Sequence, residues 1–254
     1  MRITFLGSGT SHGVPMIGCS CAVCCSDDPR DKRLRPSILV EEGDRTILVD
    51  TTPDLRTQAL RAHLCRLDAV LITHTHADHI FGLDELRRLN HLMGAEIPVY
   101  GDAGALKDIR RIFEYIFVPT QMGGGKPRIR LIEATERFLV QDLPVQAIPV
   151  LHGALPILGY RFGNAAYVTD VSCIPPTSLQ RLQGLDVLIL DSVHPAPHPT
   201  HLGLQEALAV VDALQPRRTF LTHLSHLYSH ATEETILPAH VRFAYDGLIL
   251  EIAD

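Results

Sequence analysis

The chain of 254 residues has no long hydrophobic run, and no apolar stretch approaches the ~20 residues of a membrane-spanning helix. Its first residues enter a strand-like segment directly, without the apolar core of a secretory signal peptide. We therefore expect a cytoplasmic protein. In that reducing compartment the 6 cysteines are not expected to form a disulfide framework, so a cluster among them needs another explanation.

Positive charge is also scarce. Lys and Arg number 23 against 29 Asp and Glu, a formal net charge of −6, which disfavours a nucleic-acid binder with a broad basic face. Charged residues make up only 20% and hydrophobic residues 46%, so the composition is not that of a disordered chain. Internal repeats and long linkers are missing too, and we predict a single domain over residues 1–254.

Short apolar runs alternate with helical patterns along the chain, which favours an α/β or α+β sandwich of sheets flanked by helices. The predicted strands are Ile3–Leu6, Ile38–Glu41, Thr46–Val49, Ala69–Ile72, Pro98–Tyr100, Ile129–Ile132, Val145–Val150, Leu158–Phe162, Ala166–Thr169, Val187–Leu190, Thr219–Leu221 and Leu248–Ile252. The predicted helices are Pro53–Ala62, Leu83–His91, Ala103–Tyr115, Ser178–Gln183 and Leu204–Leu214. The glycine-rich segment Pro119–Pro127 is predicted to be a flexible surface loop and a candidate lid.

Polar side chains that can bind a metal or take part in catalysis follow the ends of several predicted strands. They are Asp50, His74, His152, Asp170 and His223. Loops at strand ends are where a rigid scaffold presents catalytic groups. If these strand ends converge on one edge of the sandwich, they form a site there.

The densest group is His74-x-His76-x-Asp78-His79, which falls within six residues. His74 and His76 are two residues apart and point to the same side of an extended strand exit. Three imidazoles and a carboxylate placed so close together are costly unless they bind a metal, because protonated histidines repel one another. Imidazole and carboxylate ligands suit Zn, Mn or Fe.

With His152, Asp170 and His223 following in order, this motif resembles the ligand set of the metallo-β-lactamase superfamily, as do Phe5–Thr10 and Leu48–Asp50. The resemblance implies an αββα sandwich of two mixed β-sheets with a dinuclear site at one edge. It implies His74, His76 and His152 on one metal, Asp78, His79 and His223 on the other, and Asp170 between them. By the same resemblance, Asp50 orients the cluster through hydrogen bonds.

The charge of such a site favours an anionic substrate. Two divalent ions, less two carboxylates and one bridging hydroxide, leave a net charge of about +1, which suits a phosphodiester better than a neutral substrate. The donor set tolerates Mn or Zn, and the sequence does not choose between them.

A second cluster, with the spacing C-x-C-x-x-C, contains Cys19, Cys21 and Cys24. Three thiolates on one loop suit a structural tetrahedral zinc that takes its fourth ligand from elsewhere in the chain. The segment Gly13–Cys24 resembles the zinc loop of PhnP-like phosphodiesterases of the carbon–phosphorus lyase pathway, and we place this zinc loop at residues 13–30. The resemblance implies His226 as the fourth ligand. The remaining cysteines, Cys25, Cys65 and Cys173, are interpreted as packing residues.

Further histidines are candidates for direct roles. His201 precedes a predicted helix, and in PhnP-like enzymes a histidine in this region is a candidate general acid for the leaving alcohol. With Asp78 and Asp170 it completes the predicted catalytic set. His194 lies in a segment that also resembles the family and is either an outer-sphere neighbour of the metal ligands or a structural residue. His12 carries only a weak signal for the site mouth.

The leading hypothesis is a dinuclear phosphodiesterase that hydrolyses a small, cyclic or phosphoribosyl-type phosphodiester with a metal-activated hydroxide. Alternatives are a tRNA 3′-processing endonuclease, which needs a basic arm that is not visible here, and a thioesterase or lactonase, whose patterns lack the cysteine loop. A non-catalytic metal- or cofactor-binding protein on the same fold is a further alternative. The resemblance to PhnP-like proteins also leads us to expect a homodimer.

Overall fold

The computed structural model describes residues 1–119 and 125–252. Its strands are β1 Arg2–Gly7, β2 Ser37–Glu42, β3 Arg45–Val49, β4 Ala69–Leu71, β5 Ile97–Gly101, β6 Ile129–Glu133, β7 Arg137–Val140, β8 Leu143–His152, β9 Leu155–Phe162, β10 Ala165–Val168, β11 Val187–Asp191, β12 Arg218–Thr222, β13 Val241–Phe243 and β14 Ile249–Glu251. Its α-helices are α1 Leu55–Arg61, α2 Ala77–Ile80, α3 Leu86–Met93, α4 Ala103–Ile112, α5 Glu114–Phe117, α6 Pro176–Arg181, α7 Leu204–Leu214 and α8 Glu233–Ile236.

The strands form two sheets of seven, ordered β14-β1-β2-β3-β4-β5-β6 and β13-β12-β11-β10-β9-β8-β7. Each sheet is mixed. In the first, β3 to β6 run parallel while β14, β1, β2 and β3 pair antiparallel. In the second, β10 to β13 run parallel while β7 to β10 pair antiparallel. The parallel half of each sheet therefore brings several strand ends to one edge.

Burial divides the molecule into four layers. Along β1 and β2 alternate side chains such as Ile3, Phe5 and Ile38 face the second sheet, where they meet Tyr160 and Ile189. Leu39 and its neighbours on the outer face of the first sheet pack against α1, α3 and α4. The outer face of the second sheet packs against α6 and α7. The predicted αββα sandwich of two mixed β-sheets is confirmed.

Most predicted elements appear within a few residues of their expected bounds, but some were missed. β7, β13, α2 and α8 are short, and so few residues carry little periodic signal. The single helix predicted over Ala103–Tyr115 was wrong, since α4 ends at Ile112 and α5 begins at Glu114. Of the predicted lid, residues 120–124 lie outside the described part of the chain.

Among the described residues, no helix combines the length and the hydrophobicity required to cross a lipid bilayer.

Candidate metal centre and active site

The parallel strands deliver the polar residues to one edge of the sandwich. Asp50 follows β3 directly, and the segment that starts at His74 follows the adjacent β4. In the second sheet Asp170 follows β10 and His223 follows β12. His152 is the last residue of β8, where the sequence had placed it just beyond the strand. The expected convergence of strand ends is therefore present.

Three of these residues adopt the left-handed backbone region that non-glycine residues seldom occupy. The φ angles are 64° at Asp50, 55° at Asp170 and 60° at His223. Each sharp turn comes right after a strand and directs a side chain back over the strand end. Such conformations cost on the order of 1 kcal/mol or more and persist only where the surroundings enforce them, which is typical of functional sites.

Two groups of side chains face each other at this edge. In the first, ligand atoms of His74, His76 and His152 all lie within 4.8 Å of one another. His74 is buried, and its Nε2 has no hydrogen-bond partner among the described residues. The Nδ1 of His152 donates to the carbonyl oxygen of Thr200 at 2.7 Å, so its Nε2 is left as a lone-pair donor.

The second group contains Asp78, His79, Asp170 and His223, again with ligand atoms within 4.8 Å of one another. Nε2 of His79 lies 3.3 Å from Oδ2 of Asp78 and 3.3 Å from Oδ2 of Asp170. Nε2 of His223 lies 3.2 Å from Oδ1 of Asp170 and 3.7 Å from Oδ2 of Asp78. A carboxylate oxygen of Asp170 also lies within 4.8 Å of ring nitrogens of His152 and His201, so this carboxylate lies between the two groups.

These separations fit a metal ion. Two N or O ligands at about 2.1 Å from one tetrahedral ion lie about 3.4 Å apart, close to the four distances in the second group. The ring nitrogens that make them, Nε2 of His79 and Nε2 of His223, are buried without a hydrogen-bond partner among the described residues. Buried orphan nitrogens are costly unless something pairs with them, and a divalent cation does so.

Asp50 holds the second group in place. Its Oδ2 lies 2.7 Å from Nδ1 of His79, so that nitrogen carries the proton and Nε2 is the free ligand atom. The backbone N–H and the hydroxyl of Thr73 donate to the same carboxylate, each at 2.8 Å. The carboxylate is therefore fixed by three donors, and it in turn fixes the imidazole.

In the protein without metal, the buried carboxylates of the second group favour a positive charge beside them. Burial disfavours the charged imidazole of His223, yet Asp170 and Asp78 raise its pKa to about 10. Burial likewise opposes protonation of His79, but Asp170, Asp78 and Asp50 raise its pKa well above the usual range. The carboxylates of this buried group thus attract a cation. Protons fill this role in the absence of metal, and divalent ions would displace them.

His201 lies beside both groups. Its ring stacks on His223 with centroids 4.8 Å apart and contacts His152 at 4.6 Å. Its Nδ1 lies 3.0 Å from Oδ2 of Asp191, a fully buried carboxylate at the end of β11. No role was predicted for Asp191, although it ends a strand beside the strands that present Asp170 and His223, and that signal could have found it.

The other two histidines with predicted roles are not in the ligand groups. The ring of His194 contacts that of His198 at 5.3 Å, and His198 contacts His201 at 5.1 Å. The ring of His198 therefore lies between His194 and His201, the histidine that borders the ligand groups. His12 is exposed.

The cysteine loop meets His226 as a compact third cluster. Nδ1 of His226 lies 3.3, 3.4 and 3.6 Å from the sulfurs of Cys19, Cys21 and Cys24. A sulfur at 2.3 Å and a nitrogen at about 2.1 Å from a tetrahedral zinc lie about 3.6 Å apart, which fits this arrangement. The N–H of Cys24 helps to lower the pKa of Cys21 to about 6, favouring the thiolate that a metal needs.

The other three cysteines do not pack in the interior. Cys25, Cys65 and Cys173 are exposed, so their interpretation as packing residues was wrong. Cys25 directly follows Cys24, yet the turn that buries Cys24 directs Cys25 to solvent.

A buried arginine ties the cysteine loop to the segment that carries His223 and His226. Arg33 donates to the carbonyl oxygens of Ser225 and Tyr228, both at 2.9 Å. It also pairs with Asp31 at 3.0 Å and lies 3.2 Å from Nδ1 of His230. We call Asp31, Arg33 and His230 the arginine clamp. It fixes the peptide groups on either side of His226 without any metal.

Comparison with known proteins agrees with this architecture. The sequence profile of the β-lactamase superfamily domain matches residues 45–224, which include both groups of ligand atoms. The fold, the site and this match together define a metal-dependent hydrolase of the metallo-β-lactamase fold.

One solved structure, described as a new diphosphatase from the PhnP family, superposes with a TM-score of 0.93 at 42% sequence identity. The match covers 99% of this chain and 98% of that one. The chain therefore belongs to the β-lactamase superfamily and, within it, to the PhnP family.

The curated relatives considered next are not described as PhnP-family diphosphatases. An octanoyltransferase of Porphyromonas gingivalis is 39% identical over 253 residues, 98% of this chain and 51% of that protein. A ribonuclease Z of Parabacteroides distasonis is 27% identical over 187 residues, 67% of this chain and 58% of that protein. The chain thus spans only about half the length of the curated relatives it matches.

Proposed function

We propose that this hydrolase is a phosphodiesterase that acts on a small anionic phosphodiester at a two-metal site. The observation that carries the proposal is the pair of ligand groups with Asp170 between them and His201 alongside. The name of the PhnP-family structure, a diphosphatase, supports phosphoryl chemistry.

In this proposal the first group holds one divalent ion, Mn or Zn, and the second group holds the other, with Asp170 shared. Bound there, the two ions would lower the pKa of water and neutralise charge on the phosphoryl oxygens. With two carboxylates and a hydroxide the net charge is about +1, which attracts an anion despite the overall charge of −6. The cysteine loop with His226 is proposed to hold a structural zinc.

His201 is proposed to protonate the leaving oxygen. Its Nδ1 faces Asp191, so its Nε2 is the atom available to the substrate. Asp191 is fully buried and orients the imidazole through this contact, and the stacking on His223 sets the ring plane. A positioned general acid contributes typically 10²–10⁴-fold to the rate when the leaving group is a poor one.

tRNA 3′ processing is a second candidate, because several curated relatives are named ribonuclease Z. The net charge of −6 argues against it, since a long RNA is held mainly through its phosphates. The relative named octanoyltransferase is about twice as long as this chain but is 39% identical to it over 253 residues. An octanoyl thioester is therefore also worth testing.

The test is a substrate panel with Mn or Zn that compares ribose 1,2-cyclic phosphate, a 2′,3′-cyclic nucleotide, a pre-tRNA and an octanoyl thioester. We expect a small phosphodiester to have the highest kcat/KM. Faster cleavage of the pre-tRNA or the thioester, or no turnover of any phosphodiester, would contradict the proposal.

Replacement of His201 separates its role from simple packing. His201→Asn should slow hydrolysis of an alkyl phosphodiester by at least about 100-fold, whereas bis(p-nitrophenyl) phosphate, whose leaving group needs no proton, should lose far less. His91→Asn, at an exposed position of α3, is the matched control. Equal losses for both substrates would remove His201 from the role of general acid.

A further inference from the structure

A row of polar and basic side chains lies on the outer face of the second sheet, at its β7 edge. Arg137 of β7 lies opposite Gln146 of β8, and Gln146 lies opposite Arg161 of β9. Directly opposite residues of antiparallel strands project from the same face. Val145 and Ala147, the neighbours of Gln146 along β8, lie in the core between the sheets, so the row faces outward. We call Arg137, Gln146 and Arg161 the basic row.

The basic row is far from the metal centre. Gln146 and His152 lie on the same strand, β8, and His152 is its last residue. At about 3.3 Å per residue, the two positions are about 20 Å apart. A small ligand bound at the basic row therefore does not reach the metal-binding groups, and the row is not a part of that site.

The two guanidinium groups of the row are not neutralised by a carboxylate. Among the described side chains, none forms an ion pair or a hydrogen bond with the guanidinium of Arg137, which is exposed. The guanidinium of Arg161 donates to the carbonyl oxygens of Gly163 at 2.8 Å and Gln183 at 2.9 Å, and also to that of Arg181. These carbonyl oxygens hold the group in place but leave its positive charge without a counter-ion.

The two like charges of the row act on each other. Partial burial and the charge of Arg137 lower the pKa of the Arg161 guanidinium below its usual value. Both groups nevertheless remain charged at pH 7, because arginine does not lose its proton in proteins. An anion bound between them would offset this repulsion and gain charge-assisted hydrogen bonds. The row therefore favours a negatively charged ligand.

Two adjoining cavities share the basic row. The first, of about 550 Å³, is polar and is closed on one side by Thr177, Gln180 and Arg181 of α6. Three guanidinium groups and one carboxylate line it, which leaves a formal charge of +2. The carboxylate is that of Glu136, which pairs with Arg181 at 3.1 Å. This cavity is thus positive on a protein whose net charge is −6.

The second cavity, of about 330 Å³, is lined mainly by apolar residues beyond the row. Among them Leu139 lies opposite Pro144 in the pairing of β7 with β8. Leu139 is 58% exposed, so it gains by contact with an apolar group. Cavities of this size hold small organic ligands. The two cavities together suit a ligand with an anionic end and an apolar body.

We infer that the basic row and its two cavities form a binding site for an organic phosphate, separate from the metal centre. The phosphoryl group lies between Arg137 and Arg161, where guanidinium groups bind phosphoryl oxygens with paired hydrogen bonds. The amide of Gln146 adds a donor, and the apolar body of the ligand covers Leu139. Binding involves no chemical step, and the inference does not depend on the proposed phosphodiesterase activity.

Calorimetry with phenylphosphonate tests the site in the metal-loaded protein. This probe carries an anionic phosphoryl group on an apolar ring and has no ester bond to hydrolyse. Arg137→Gln should weaken its binding at least about 10-fold, since hydrogen bonds between charged groups are lost. Arg137→Lys keeps the charge and should recover part of the affinity. Arg130→Gln, at an exposed arginine on the edge strand of the other sheet, is the matched control and should bind like the parent.

A phosphonate can also bind a metal centre, and Asp170→Asn separates the two sites. The binding that Arg137→Gln weakens should stay within about 3-fold of the parent in Asp170→Asn, because effects at distant sites are independent. Inorganic phosphate lacks the apolar body and should bind at least about 3-fold more weakly than phenylphosphonate.

Several results would overturn the inference. They are no binding to the parent, unchanged binding in Arg137→Gln, equal weakening in Arg130→Gln, loss of this binding in Asp170→Asn, and equal affinity for inorganic phosphate. An Arg137→Gln variant that keeps its affinity but self-associates would instead assign Arg137 to protection of the edge strand β7, where charged side chains prevent pairing with other chains.

Discussion

The His/Asp site and the cysteine loop use opposite strategies to assemble metal-binding atoms. In the His/Asp site the side chains leave the ends of packed strands, and Asp50 fixes His79 with a hydrogen bond of 2.7 Å. In the cysteine loop three sulfurs surround one imidazole on a partly exposed segment without a strand. The first arrangement is organised by the fold, whereas the second has the arginine clamp beside it and, in the proposed zinc-bound form, also depends on the ion. The difference teaches where metal loss should cost activity and where it should cost stability.

The largest expected effect is at Asp170. Asp170→Asn should lower kcat/KM for bis(p-nitrophenyl) phosphate by more than about 100-fold. Loss of a residue that only hydrogen-bonds to a metal ligand already costs about 10–100-fold in metal affinity or activity. Metal analysis should show fewer ions per chain, and the zinc that we propose for the cysteine loop should be retained. Asp142→Asn, at an exposed aspartate, is the control. Full activity in Asp170→Asn would show that the two ligand groups do not share this carboxylate.

A smaller effect on activity but a larger one on stability is expected in the cysteine loop. Cys21→Ser should remove one metal ion per chain and lower the Tm by about 5 °C, as a structural zinc contributes folding energy. Turnover by the folded fraction should stay within about 2-fold. Cys25→Ser replaces the exposed neighbour and should change neither. A variant that kept its Tm but lost its turnover would place the cysteine loop in catalysis.

The smallest effect concerns the arginine clamp and depends on pH. Burial and the charge of Arg33 lower the pKa of His230 to about 4. The unfolded chain, with an ordinary histidine pKa, therefore binds an extra proton between about pH 6.5 and pH 4, so this contribution to stability is lost as the pH falls through that window.

Urea unfolding at pH 7 and pH 5 measures this contribution. We expect the free energy of unfolding to fall by on the order of 1 kcal/mol more in the parent than in His230→Gln. His91→Gln serves as the exposed control. An identical pH dependence in the parent and in His230→Gln would mean that His230 titrates normally and that the clamp does not depend on its neutral form.

Much of the architecture could be predicted from local patterns. Runs such as Ile38–Val40 and Val187–Leu190 are apolar at consecutive positions because both faces of their sheets are covered, and they lie in strands. The helix Leu204–Leu214 has its expected bounds. The break at Phe113 and the exposure of Cys25 could not be predicted, since each depends on packing that no short window contains.

The metal-binding residues could be identified from the sequence by itself, because closely spaced histidines, aspartates and cysteines are energetically unfavourable unless they bind a metal ion. Their meeting was decided only by the tertiary structure. His226 joins Cys21 across 205 residues of chain. Asp191 meets His201 because the segment that follows β11 folds back over the end of that strand. The left-handed turns at Asp50, Asp170 and His223 arise because the packed sheets hold strand ends that a free chain would relax.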